Sequence, residues 1–376
     1  MKRIAHLTSV HPRTDTRVFK KQCQSLARSG EYQLFLIVSD GLGDDLLSEV
    51  NILDVGASKT RLSRIFFAPL RVFYRSLKVR AHLYHLHDPE LMLIGVLLKL
   101  VGKKVVFDAH ENFRKQLLSK PYLRPLLSRL ISFLILPLEL ISFKVFDHVI
   151  TATPSICDDI TFLRRDKKTV VNNFPMLEEF SFSDSSTVDK NSLVYVGAIT
   201  RIRGLKELIN ALPKCDGIKL DLIGGCNDAD LLEEMKSLEG WSFVTYHGHL
   251  PSVEAFQKVR NSLAGIVTYL PYPNHTEAQP NKLFEYMAAG IPVIASNFPL
   301  WREIVETDGA GVCVDPESPE EISKAITFLS SHLEQAKSMG YRGKEIVKKK
   351  YNWSAQEKIL LGVYDDILMG DKLCES

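Results

Sequence analysis

The chain has 376 residues, 45% of them hydrophobic and 24% charged, with a formal net charge of +2. That composition builds a folded core and excludes an intrinsically disordered chain. The near-neutral charge excludes a nucleic-acid binder working through a bulk basic surface, and at roughly 150 residues per domain the length predicts two domains.

The first apolar run, Ile4-Ala5-His6-Leu7, gives way almost at once to His11-Pro12-Arg13. It is too brief for the core of a signal peptide and reads as a buried strand. Similar short runs follow at 32–38, 83–85, 105–107, 149–151 and 169–171, with amphipathic stretches at 19–28 and 89–100 among them. This alternation predicts an α/β domain, a parallel sheet with helices on its faces. Between residues 61 and 80, Arg61, Arg64, Arg71, Arg75, Lys78 and Arg80 interleave with Phe66, Phe67, Leu70, Phe73, Tyr74 and Leu77. Such a stretch suits either an anionic membrane surface or a core helix with solvated arginines. Residues 117–143 extend the apolar character. Arg129, Pro137 and Glu139 interrupt their densest part, leaving an uncharged run far short of the ~20 residues a spanning helix needs.

The rhythm stops near Asn172-Asn173-Phe174-Pro175, and the polar run Ser181 to Thr187 reads as a linker. Strand candidates resume at 193–196, 220–223, 243–246, 265–269, 293–295 and 311–314, so a second doubly wound domain follows the first. The expected division is 1–180, 181–350 and a closing segment 351–376, whose helix over 357–368 has Asn352 or Ser354 as its cap. Ligand sites are expected at the carboxyl ends of the strands and the active site in a cleft between the domains. Six scattered cysteines without C-x-x-C spacing predict neither a zinc site nor a disulfide framework, and a reducing cytosol as the home.

The richest segment is Thr276-Glu277-Ala278-Gln279-Pro280-Asn281-Lys282-Leu283-Phe284-Glu285-Tyr286-Met287-Ala288-Ala289-Gly290-Ile291-Pro292. Pro280 fits a first helical position, while Gly290 and Pro292 end the helix. Leu283, Phe284 and Met287 form a face to bury, and Lys282 and Glu285 share an edge one turn apart. A helix start offers free N–H groups and a positive dipole end to a diphosphate, with Asn281 and Lys282 in its first turn. Glu285 is a carboxylate able to accept from two sugar hydroxyls, and Glu277 approaches from the preceding loop. Gly197 to Gly204 is a second phosphate candidate, a glycine turn carrying Arg201 and Arg203.

Glu277 and Glu285, with seven residues between them and the continuation PNKLFEYMAAGIPVIAS, resemble the E-x7-E signature of retaining GT-B glycosyltransferases, glycosyltransferase family 4 (glycosyl transferases group 1). The resemblance implies two Rossmann-like domains facing a cleft, with a C-terminal helix crossing back toward the first. It assigns Glu285 to the ribose hydroxyls and Glu277 to the donor sugar and phosphates. It also puts Arg203 in the basic position of a G-x-[IL]-x-x-x-[KR]-G segment. Ala198 stands where many relatives carry arginine, which makes Arg201 the candidate replacement. His110, after the strand at 105–107, resembles the family's histidine beside the donor sugar, and Leu86-His87-Asp88-Pro89 a segment at the cleft floor. Relatives have a glycine-rich loop after the first strand. Here the loop is Ser9 to Arg17 without glycine, so Asp15 and Arg17 are either acceptor-side residues, as are His87 and Asp88, or a mutual surface ion pair.

Asp228-Ala229-Asp230 has a metal-binding D-x-D spacing but opens a helix, where acidic residues are favoured anyway, and no metal or other cofactor is expected. The expected reaction moves a hexose or N-acetylhexosamine, with retention, from a nucleotide diphosphate sugar (a UDP-sugar foremost) to a saccharide or lipid-linked saccharide acceptor. His110, Glu277, Arg203 and Lys282 are the candidate catalytic residues. A cytoplasmic enzyme, peripheral on the inner face of the cytoplasmic membrane and engaged in polysaccharide synthesis, is the corresponding setting. A nucleotide-sugar epimerase and a non-catalytic membrane scaffold are the alternatives.

Overall fold

The computed structural model describes residues 1–111, 125–180 and 189–369. They form two compact units, Met1–Asn173 together with Trp353–Ser376, and Phe174–Asn352. The linker expected over 181–187, Asn112 and residues 117–124 lie outside the described residues.

In the first unit the strands are β1 Lys2–Leu7, β2 Tyr32–Val38, β3 Asp45–Leu47, β4 Val50–Asp54, β5 Leu83–Leu86, β6 Lys104–Ala109, β7 His148–Thr151 and β8 Lys168–Val170. They make one sheet in the order β3-β4-β2-β1-β5-β6-β7-β8, parallel except for β3 against β4. Buried on both faces, parallel strands read as unbroken apolar runs. Unexpected was the β3–β4 hairpin. Its turn residues Ser48 and Glu49 take φ of 47° and 65°, a left-handed turn without the glycine or asparagine that usually announces one.

The helix expected over 19–28 is a π-helix, Thr16–Cys23, running into α1 Gln24–Arg28. Helix α2 Arg61–Val79 is capped by Thr60 and buries Ala68, Val72 and Ser76, leaving Leu62, Phe66, Phe67 and Tyr74 exposed. Then come α3 Met92–Leu100, α4 Pro125–Val145 and α5 Pro154–Asp159. Among the described residues no helix is long and apolar enough to cross a membrane. The C-terminal helix, Trp353–Met369, belongs to this unit: Trp353 Nε1 donates to Ser25 Oγ at 2.9 Å and Tyr364 is fully buried. It begins at Trp353, ahead of the expected start, and the Asn352 side chain donates to the carbonyls of Val347 and Lys348.

The second unit has strands β9 Asp189–Val196, β10 Lys219–Ile223, β11 Val244–Gly248, β12 Ser262–Val267, β13 Val293–Ser296 and β14 Gly311–Val314. The sheet is entirely parallel, in the order β11-β10-β9-β12-β13-β14. Its helices are α6 Leu205–Ala211, α7 Ala229–Lys236, α8 Ser252–Asn261, α9 Pro273–Thr276, α10 Asn281–Ala289, α11 Pro299–Val305, α12 Pro319–Ser331 and α13 Leu333–Lys349. Numbered from its first strand, this sheet runs 3-2-1-4-5-6, the doubly wound dinucleotide-binding order. The first unit has the same order, with β8 as a seventh strand, once β3 is set aside. Each unit therefore has a topological switch point where the strand order reverses, between β1 and β5 in one and β9 and β12 in the other. Ligands of such sheets bind beyond the carboxyl ends of the strands there.

Candidate active site

At the second unit's switch point the chain leaves β9 through Gly197 (φ 153°), whose N–H donates to the Ile223 carbonyl at 2.9 Å. A Cβ on Gly204 would sit 1.9 Å from the Thr268 carbonyl oxygen, and its φ is 66°. Only glycine fits both constraints. This close approach brings Arg203 onto the residue following Thr268: its guanidinium carbon stands 3.9 Å over the Tyr269 ring. Stacking desolvates the cation, and Arg203 Nε is buried without a hydrogen-bond partner. A buried, unsatisfied charged donor is costly in a resting protein, and an anionic ligand would relieve it.

Tyr269 lies within electrostatic range of both this arginine and Glu285. Burial raises the Tyr269 hydroxyl's pKa, the nearby Arg203 cation opposes this, and the Glu285 carboxylate adds to it. Helix α10 is anchored by Tyr286, whose hydroxyl accepts the Val196 N–H at 2.9 Å. Gly265 in β12 makes room for the Tyr286 ring, which a Cβ there would meet at 2.3 Å. Leu283, Phe284 and Met287 form the expected buried face, and Gly290 (φ 79°) ends the helix in the left-handed region. Lys282 and Glu285, both partly exposed, pair at 2.5 Å.

Two expectations need correcting here. Pro280 is the N-cap rather than the first helical residue, with ψ of 130°, so Asn281 opens the helix after a half-buried loop on which Glu277 is exposed. Arg201, nominated to replace the phosphate contact missing at Ala198, is instead held by Asp228 and Glu234, both at 2.9 Å. Asp228 also caps α7 by accepting the Leu231 N–H, the helix-opening role expected for it.

At the first unit's switch point the hub is Asp108, the next-to-last residue of β6 and fully buried. Arg17 grips both its oxygens (2.7 and 3.0 Å), Gln22 donates at 2.6 Å, and His110 Nε2 lies 3.0 Å away. Burial alone would raise its pKa, but Arg17 and His110 hold it well below the carboxylate range. Arg17 and Asp15 therefore form no mutual surface pair. Arg17 is buried on Asp108, while Asp15 accepts the Arg17 and Val18 N–H groups and sits 3.2 Å from His11. Burial works against ionisation of Asp15, yet His11 and those N–H groups bring its pKa down to about 2. Asp88 accepts from Thr8 and from the Ser9 N–H at 2.8 and 2.6 Å, and His11 Nε2 stands 3.4 Å from it.

His11, His87, Asp88, Glu90 and His110 line a cavity of about 340 Å³ within this unit. His110 and Asp88 are thus brought together at one cavity, whereas Arg17 lies behind it as support. His87, Asp108 and His110 stand at metal-ligand spacing. However, Asp108 already accepts from Arg17 and Gln22 and faces His110, and the Arg17 charge opposes a second cation there.

Tyr269, Tyr286, His6, His85 and Tyr364 were missed. His6 and His85 gave a weak signal, each being a lone polar residue inside an apolar strand. They are direct neighbours in the β1–β5 register.

The whole chain has the α/β architecture of GT-B proteins, two parallel-sheet Rossmann-like units and a C-terminal helix. Sucrose-phosphate synthase from Thermosynechococcus elongatus superposes with a TM-score of 0.77 at 16% identity, covering 98% of this chain and 100% of that one. Anabaena HepE in complex with UDP-glucose superposes at 0.72 with 12% identity, over 97% and 100%. Residues 178–346 match the family Glycosyl transferases group 1, so the second unit carries that family's signature. A GDP-mannose-dependent alpha-(1-6)-phosphatidylinositol monomannoside mannosyltransferase of Mycobacterium tuberculosis is 26% identical over 193 residues, 49% of this chain and 48% of that protein. The chain spans about half the length of the first curated relatives it matches.

Proposed function

We propose that the protein is a retaining glycosyltransferase of family 4 that moves a hexose or N-acetylhexosamine from a nucleotide diphosphate sugar to a saccharide acceptor. The observation that carries this reading is the second unit's switch point, where Arg203 stacks on Tyr269 with its Nε unsatisfied, together with the Lys282–Glu285 pair in the first turns of α10. The diphosphate takes the α10 start, Lys282 and Arg203, which offset the charge growing on the leaving group. Glu285 turns from Lys282 to the ribose hydroxyls, and Glu277 serves the sugar end. In the first unit, His110 and Asp88 present acceptors to sugar hydroxyls.

UDP is the favoured nucleotide, in keeping with the HepE complex, and GDP the competitor, in keeping with the mannosyltransferase. The acceptor is lipid-linked, and α2 and α3 face an anionic membrane on the cytoplasmic side. Those helices contain no acidic residue, carry five and one basic residues respectively, and expose Leu62, Phe66, Phe67, Tyr74 and Leu100.

Thermal-shift titration with UDP, GDP, ADP and CDP tests the donor site. Transfer from the stabilising nucleotide's sugars to membrane lipid, with the product anomer read by NMR, tests the reaction. Stabilisation by no nucleotide, or conversion of the donor alone into another nucleotide sugar, overturns the reading.

A further inference from the structure

Behind the first unit's cavity, rings from three segments form a single file of hydrogen bonds that ends beside Asp108. His85 Nδ1 lies 2.5 Å from the Tyr364 hydroxyl, which lies 3.1 Å from His6 Nε2. His6 Nδ1 is 2.9 Å from His87 Nε2, and His87 Nδ1 is 3.5 Å from Asp108 Oδ2. None of these five residues is more than 3% exposed. Burial pushes the pKa of His6 and His85 well below the usual range and that of His87 down to about 3, so each ring is neutral and carries one N–H.

Neutral rings in file order their protons in one of two senses, and the His85 end selects between them. His85 Nε2 is buried without a partner. A buried N–H without an acceptor is rarer and costlier than a bare lone pair, so the His85 proton sits on Nδ1 and is donated to Tyr364. Tyr364 then donates its only proton to His6 Nε2, His6 Nδ1 donates to His87 Nε2, and the His87 proton on Nδ1 faces Asp108. The opposite sense leaves an orphan N–H on His85 and turns a His87 lone pair toward His110 Nε2, 3.3 Å away, with Asp108 Oδ2 at 3.5 Å.

We propose that Tyr364 is a positioning residue for the cavity, acting through His6 and His87. By fixing the sense of the file it makes His87 a further donor to Asp108. His110 then keeps its proton on Nε2, donated to the Asp108 anion 3.0 Å away. Its Nδ1, without a partner among the described residues, is left as the acceptor for a hydroxyl of a polyhydroxylated ligand. Only the identity of that ligand rests on the glycosyltransferase reading. Without the Tyr364 hydroxyl, His85 loses its acceptor and His6 its donor, and the file is free to reverse. His87 Nδ1 is then free to accept a hydrogen bond from His110 Nε2, 3.3 Å away, in competition with Asp108.

The test is 1H–15N correlation of the histidine rings in the full chain, wild type and Tyr364→Phe. Expected in the wild type are Nδ1–H forms of His6 and His87 and the Nε2–H form of His110. Expected in Tyr364→Phe are His6 and His87 in the Nε2–H form, a roughly tenfold lower kcat and unchanged nucleotide affinity. A wild-type His87 protonated on Nε2 overturns the proposal even if the variant does not fold. So do unchanged tautomers in a folded variant, or switched tautomers with an unchanged transfer rate. Absence of transferase activity in the wild type would instead count against the proposed function, leaving the ring spectra to decide this point.

Discussion

The two units share a strand order and a switch point yet fill the switch point with opposite chemistry. In the first, charge is buried and already paired: Arg13, Arg17, Lys21, Asp88 and Asp108 are all at most 8% exposed. In the second, no Arg, Lys, Asp or Glu is buried among the described residues. Its working charges, Arg203, Lys282 and Glu285, lie half-covered above an apolar core, and glycines bring the backbone close beneath them. A pocket whose charges neutralise one another is rigid before any ligand arrives. One whose cations lack full partners is built to be completed by an anion. On the proposed function, the same fold holds shape in one unit and binds charge in the other.

The sharpest way to break this contrast is Asp108→Asn. It leaves Arg17 buried without its anion, which costs about 3–5 kcal/mol of stability. Amide exchange on the intact chain should show β1, β5 and β6 losing protection while β9 to β14 keep theirs, and equal loss in both units would defeat the contrast. Next is Arg203→Ala, which should lower kcat roughly 100-fold, about 3 kcal/mol in the transition state, with little effect on the melting temperature. A normal turnover would remove Arg203 from the phosphate site.

Acid offers the third test. His6, His85, His87 and His148 have folded pKa values below the unfolded value of about 6.5, His87 at about 3 and His148 at about 4. The unfolded chain binds protons that the native chain refuses, so their contribution is complete above about pH 6.5 and declines as pH falls toward those values. At pH 5 each histidine kept neutral lowers stability by about 2 kcal/mol. In urea titrations between pH 7 and 5, Trp353 fluorescence should report the first unit weakening before Trp241 and Trp301 report the second. The smallest effect is expected from Lys282→Gln. It removes a half-exposed pair and costs under about 1 kcal/mol of stability, yet should weaken nucleotide binding measurably by calorimetry.

What the sequence revealed divides along the same line. The glutamate helix was legible because its elements are local: Pro280, Lys282, Glu285 and Gly290 lie within three turns of chain. Most strands were legible because a buried parallel strand writes itself as an apolar run. The histidine file was not, since its rings come from β1, the end of β5 and the C-terminal helix, and only the sheet register makes neighbours of His6 and His85. Arg17 and Asp108 are 91 residues apart, so the arginine's nearest acid in sequence, Asp15, was the wrong partner to weigh. Arg201 misled for the converse reason: its partners Asp228 and Glu234 reach it only because β9 and β10 are adjacent.

The π-helix carries one more consequence. Arg17 and Gln22 both reach the same carboxylate, and they are five residues apart. In an α-helix, residues at that spacing point about 140° away from each other, whereas the wider winding brings them back to one side. Deleting one residue anywhere between them would rewind the segment and part the two side chains even if every remaining identity were kept. The length of this short stretch is itself the constraint, and an insertion or deletion here should be less tolerated than many substitutions.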